Sequence, residues 1–138
     1  MSDYIRENKA DLQDHFQAIA SKALEILPED WTSAALGYFL VGEDRTEQQQ
    51  LLVRCSSSKE LRDVMKEAWD DFDMQDILID ILEEFRKMHE VCAKAEDDWC
   101  EATMLLNRDG SFNMDYVYEP ITVYDSFFIL DWQSRHII

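Results

Sequence analysis

Between residues 3 and 27 the apolar positions Ile5, Leu12, Phe16, Ile19, Ala20, Ala23, Leu24 and Leu27 recur at helical spacings of three and four. That is the single stripe of an amphipathic helix, with Ser2 or Asp3 available to cap its start and Pro28 to stop it. After Trp31 the run TSAALGYFLVG, rich in aliphatic and aromatic residues, predicts a strand from about 32 to 41. QQQLLVRCS at 48–56 predicts its antiparallel partner across a polar loop. Ser56-Ser57-Ser58 then hands the chain to a second helical stripe that starts at Leu61. Val64, Met65, Ala68, Trp69 and Phe72 carry that stripe, and Leu78, Ile81, Leu82, Phe85, Met88 and Cys92 continue it to about residue 95. Acidic residues crowd at Asp70–Asp73, where Asp73 is placed to cap a second helix. One long helix and two consecutive ones fit this pattern equally.

The last third permits a sharper inference. Trp99–Leu106 and Ser111–Tyr118 flank Arg108-Asp109-Gly110, a hairpin signal. A two-residue turn would pair Leu106 with Asn113 and Met104 with Asp115, mixing core and solvent faces. A three-residue loop instead pairs Leu106 with Phe112, Met104 with Met114 and Ala102 with Tyr116. It places Thr103 opposite Asp115 and Glu101 opposite Val117 on the other, more polar face. A one-residue slip would turn every side chain over, so face agreement selects the three-residue loop, with Gly110 in its left-handed position. Pro120 ends the strand, and residues 126–137 fit a short closing helix or a last strand. The expected fold is α+β: one domain over 1–138, with an antiparallel sheet of about four strands packed against an N-terminal helix and a long central helix.

Charge changes what this fold is expected to do. Thirty Asp and Glu oppose 13 Lys and Arg, a formal net charge of −17 on 138 residues. With 46% apolar residues, 3 Gly and 2 Pro, the chain is a folded domain with an acidic skin rather than a disordered acidic tail. Such a field repels nucleic acid and anionic membrane and attracts basic proteins. The start, MSDYIRENKADL, has no apolar signal core, and no run of ~18 apolar residues occurs to span a membrane, which predicts a cytoplasmic chain. Cys55, Cys92 and Cys100 form no CxxC pair and read as reduced, buried thiols.

Recognisable catalytic chemistry is missing. His15, His89 and His136 stand apart without metal-ligand spacing, and Asp70-Asp71-Phe72-Asp73 lacks the Gly of a calcium loop. No phosphate-cradling Gly-rich loop or nucleophile elbow is present, and no cofactor is implied. His89 lies three residues before Cys92, but a core thiol beside a boundary histidine accounts for the pair. What remains is an acidic helix flank. Asp73, Asp76, Asp80, Glu83 and Glu84 recur at three and four, opposite Leu78, Leu82 and Phe85. Like charges at i, i+4 cost an isolated helix about 0.2–0.5 kcal/mol per pair. A solvated face and a face that meets a basic partner are both consistent with that cost. The polar hairpin face at Glu101, Asp115 and Glu119 and the turn Glu96-Asp97-Asp98 are the further candidates.

Trp99, then Gly110-Ser111-Phe112, then Asp115-Tyr116-Val117-Tyr118-Glu119 resembles the YezG-like immunity protein family. Pro28-Glu29-Asp30-Trp31 after the first helix and Trp132 near the end look like the same family. The order helix–strand–strand–long helix–strand–strand agrees over essentially the whole chain. Val117 stands where the family often has a further Asp, and Pro120 follows closely. The resemblance implies an antitoxin that binds and neutralises a secreted toxin domain, commonly a nuclease, and it carries over no catalytic residues. A nuclease must be basic to hold phosphate, so the resemblance and the charge point the same way. An acidic adaptor or chaperone for a secreted effector is the alternative, and an enzyme with an unrecognised carboxylate site a weaker third.

Overall fold

The computed structural model of the protein describes residues 9–122 and 128–136. Helix α1 spans Lys9–Leu24, and the hairpin strands β1 (Trp31–Val41) and β2 (Thr46–Cys55) follow. A two-residue strand β3 (Arg62–Asp63) leads into a short helix α2 (Val64–Glu67) and a 3₁₀ turn (Ala68–Asp70). The long helix α3 (Phe72–Lys94), strands β4 (Glu101–Asn107) and β5 (Phe112–Val117) and helix α4 (Phe128–His136) complete the fold. The class is α+β as expected, and the sheet has five strands in the order β3-β2-β1-β4-β5, every neighbouring pair antiparallel.

Helices α1 and α3 cover one face of the sheet. Leu36, Tyr38, Leu51, Val53, Met104 and Leu106 meet Leu12, Phe16 and Ile19 of α1 and Leu78, Ile81, Phe85 and Met88 of α3, all buried. Helix α4 covers the other face, where Trp132 is buried against Ala35, Phe39, Val41 and Leu52. Strand β1 is therefore apolar on both sides, which is why its sequence runs almost without polar interruption. Gly37 makes the second contact possible: a Cβ there would lie 2.9 Å from Trp132 Cζ2 and 2.8 Å from the Phe39 ring. The Trp132 indole meets Phe39 edge-on at 5.5 Å and donates from Nε1 to Thr103 Oγ1 at 2.8 Å.

The β4–β5 register matches the sequence reading pair for pair, from Leu106↔Phe112 to Glu101↔Val117. Gly110 takes φ +89° and donates its N–H to Asn107 O at 2.9 Å, closing the three-residue loop. Segment 126–137 resolves to a helix over its described part, Phe128–His136. The proposed cap at Ser2 or Asp3 lies outside the described residues.

Several expectations need correction. The stretch beginning at Leu61 does not enter helix directly, because Arg62 and Asp63 first pair with Val53 and Leu52. Two helices then follow, the second of the two arrangements the pattern allowed. The cap of the second is Asp71, whose side chain accepts from Met74 N at 3.1 Å, and Asp73 sits inside its first turn. Of the expected apolar stripe, Trp69 is 86% and Phe72 78% exposed, and Leu82 is only partly buried. Cys55 and Cys92 are buried thiols, whereas Cys100 is partly accessible. The polar hairpin face is not open at Glu101 and Thr103, both of which lie beneath α4.

Candidate docking surface

The carboxylates of the molecule fall into two classes, those with partners within the fold and those without. In the second half of α3, Arg86 grips Glu47 through Nε and Nη2 at 2.9 and 2.6 Å, and the Tyr38 hydroxyl donates to the same carboxylate at 2.6 Å. Burial and the Glu47 charge push the Tyr38 phenol far above its ordinary range, so it remains a donor. Arg45 binds Asp98 with two nitrogens at 2.7 and 2.8 Å, and His89 Nε2 reaches the same carboxylate at 2.8 Å. The Arg45 hydrogen bonds hold the Asp98 carboxyl down at about 2. Asp97, beside it, is buried and accepts from Tyr118 Oη at 2.7 Å. Asp97 and Asp98 thus join the end of α3 to the sheet, while Glu96 in the same turn stays exposed.

His89 is committed to Asp98 and stands edge-on to Trp99 at 4.7 Å, while burial raises the neighbouring Cys92 thiol away from its reactive thiolate. The pair forms part of the packing, as the core reading of these residues holds. Among the described residues no group of three or more His, Cys, Asp or Glu is arranged to hold a metal ion. No helix among them is long and apolar enough to cross a membrane.

The candidate carboxylates sort along the same division. Glu84 Oε1 lies 2.6 Å from His15 Nδ1, and Asp80 lies 3.4 Å from Lys22 Nζ, so both link α3 to α1. The acidic flank is therefore not free along its whole length: Asp80 and Glu84 have partners on α1, and Asp76 between them and Asp73 has none among the described residues. Glu101 is 3% exposed and is held by Arg135 at 3.0 and 3.2 Å, fastening α4 to the sheet. Asp115 is exposed, 3.4 Å from His136 Nε2, and Glu119 is exposed beyond the end of β5. Asp73, Asp76 and Glu83 remain, exposed and in no salt bridge among the described residues.

From Glu67 to Phe85 the chain carries eight carboxylates and no Lys, Arg or His. Glu67 is paired with Arg62, Asp71 caps α3, and Asp80 and Glu84 face α1, leaving Asp70, Asp73, Asp76 and Glu83 in the open. Their helical spacing places Asp76 four residues after Phe72 and three before Ile79, on one flank. Trp69, Phe72 and Ile79 border an open groove of about 480 Å³ floored by Met65, Ala68, Gln75 and Leu78, with Gln49 at its edge.

This corner is held in place. Gln75 Nε2 donates to Ala68 O and Trp69 O, both at 2.8 Å, which satisfies the carbonyls of the 3₁₀ turn. Gln49 Nε2 donates to Leu78 O at 3.0 Å and ties the start of α3 to β2. Periodicity missed the corner because a 3₁₀ turn advances each residue by 120° rather than 100°, rotating Trp69 and Phe72 out of the buried stripe. The available signal was Asp70-Asp71 inserted between the two aromatics.

The sequence profile described as "Immunity protein YezG-like" matches residues 12–133. Among curated proteins, an "Immunity protein YezG" of Bacillus subtilis is 28% identical over 118 residues, covering 80% of this chain and 75% of that protein. A protein of the same name from Bacillus spizizenii is 26% identical over 117 residues, covering 78% of this chain and 69% of that one.

Proposed function

Because the chain belongs to the YezG-like immunity protein family, we propose that it is a cytoplasmic antitoxin that binds and neutralises one cognate basic toxin domain, a nuclease. The unpartnered carboxylates on the first half of α3 are the observation that carries this reading. Arg45, Arg86 and Arg135 each hold a carboxylate within the fold. Between Glu67 and Phe85, by contrast, there is no Lys, Arg or His, and Asp70, Asp73 and Asp76 follow one another at single-turn spacing with Glu83 two turns on; like charges one helical turn apart cost about 0.2–0.5 kcal/mol per pair. A basic surface laid against them removes that repulsion.

A nuclease presents such a surface, since its cleft must neutralise phosphates. Complementary fields accelerate encounter by orders of magnitude over the neutral case. Speed matters to an antitoxin, which must capture its target before the target finds nucleic acid. The proposed contact set is Asp73, Asp76 and Glu83, with Asp80 at its border; Glu84 and Glu101 serve the internal packing of α1 and α4.

The test is co-expression in bacteria with the C-terminal domain of the toxin encoded beside this gene. Growth should be restored, and purified protein should suppress cleavage of plasmid DNA or total RNA at a one-to-one ratio. Undiminished killing, or an unaffected nuclease, would remove the proposal.

A further inference from the structure

We propose that the Trp69–Phe72–Ile79 corner is the anchor site for an arginine side chain on the toxin domain's basic surface, an inference that rests on the immunity reading above. Three observations identify the occupant. Trp69 is 86% exposed and offers both faces of an indole, the best aromatic partner for a cation. Asp70 adjoins Trp69, Asp76 lies one helical turn from both Phe72 and Ile79, and the chain carries no Lys, Arg or His between Glu67 and Phe85. Met65, Leu78 and Ile79 supply an apolar wall.

An apolar side chain would use the wall and waste the carboxylates. Lysine would use the carboxylates, but it presents a compact, strongly hydrated ammonium. Arginine uses all three: its methylene stem lies on the wall, its weakly hydrated guanidinium stacks on the indole, and its fork pairs with a carboxylate. The fold already contains one such contact, with Arg108 lying 5.5 Å from the Trp31 ring. A second copy of this chain is disfavoured because the same acidic border would face itself at a net charge of −17 each.

The backbone of the site is also held before binding. The hydrogen bonds from Gln75 to Ala68 O and Trp69 O fix the turn that carries the indole. Residues ordered in advance lose less entropy on docking, and interface energy concentrates in a few such aromatic and arginine anchors.

The anchor is tested by calorimetric titration of the purified toxin domain into wild type, Trp69→Phe, Trp69→Leu and Trp69→Ala. Trp69→Ala should weaken binding by at least ~10-fold, the scale of an anchor residue. Trp69→Phe should retain more affinity than Trp69→Leu, because an aromatic face remains for the guanidinium. Melting curves serve as the folding control, and the exposed position of Trp69 predicts that they coincide. Of the four tryptophans the other three are buried, so acrylamide quenching of wild-type fluorescence should fall on complex formation. Tight binding by wild type with unchanged affinity for Trp69→Ala would overturn the anchor and leave the immunity reading standing. Equal affinities for the Phe and Leu variants would overturn arginine as the occupant. Absence of binding by wild type would overturn both readings.

Discussion

The two halves of α3 share one backbone but use their side chains in opposite ways. In the second half Phe85 stacks on Tyr38 at 5.5 Å, Met88 and Cys92 are buried, and Arg86 and His89 reach carboxylates on other elements. In the first half Phe72 is 78% exposed, Trp69 stands out before it, and Asp73 and Asp76 meet nothing within the described fold. Two phenylalanines thirteen residues apart on one helix thus have different duties. The second half holds α3 on the sheet, and the first half is kept in shape by Gln75 and Gln49 while its outer groups stay free. Polar side chains paired inside the molecule report on folding; those held in place yet unpaired report on what it binds.

The largest test of this contrast exchanges the two phenylalanines for alanine. Phe85→Ala should cost about 3–5 kcal/mol of unfolding free energy in urea titrations, as for a fully buried ring. Phe72→Ala should stay within about 0.5 kcal/mol, as for an exposed site. Comparable losses would mean that the corner is part of the core.

Acid should next separate the halves. The folded Asp98 carboxyl titrates near 2 and the unfolded one near 3.8. Its stabilisation is therefore present above about pH 4 and drains as pH falls toward 2. With nearly half the side chain in water, the contribution is about 1 kcal/mol, below the full linkage value. Asp98→Asn should lower stability at neutral pH by that amount and flatten the profile between pH 4 and 2.

Two smaller changes should each raise stability. Asp76→Asn relieves repulsion from Asp73 and Asp80 and should add a few tenths of a kcal/mol, on the scale of surface like-charge pairs. Glu96 closes α3 at φ +64°, with its N–H and that of Asp97 returned to Ala93 O and Cys92 O. Glu96→Gly should add up to about 1 kcal/mol, since glycine favours this left-handed position. Matched melts would show both gains, but only Asp76→Asn should weaken toxin binding.

Sequence reached the register of the β4–β5 hairpin because one of its faces must be buried, and a single register buries it. The β4–β5 pairs from Leu106↔Phe112 to Glu101↔Val117 follow from that rule. It did not reach α4, whose docking turns the polar hairpin face into an interior one: Glu101 and Thr103 look solvent-facing until Arg135 and Trp132 cover them. The docking corner was missed for a different reason. Trp69 and Phe72 extend an apolar stripe only if the helix is continuous, and the 3₁₀ turn at Ala68–Asp70 breaks its phase. Of the acidic flank, spacing identified the residues, whereas their division into paired and unpaired depended on where α1 placed His15 and Lys22.

The claim that α3 captures its target through unpaired charge is tested most directly by stopped-flow association with the toxin domain over a salt series. Salt contracts the field of exposed carboxylates to about 8 Å at physiological ionic strength. The wild-type association rate should therefore fall by at least ~10-fold from low to high salt, as for an electrostatically steered encounter. The Asp73→Lys, Asp76→Lys, Glu83→Lys triple variant, folded by circular dichroism, should associate slowly at low salt and show little salt dependence. A wild-type rate that is flat across the series, or a triple variant that retains the wild-type rate and slope, would contradict it.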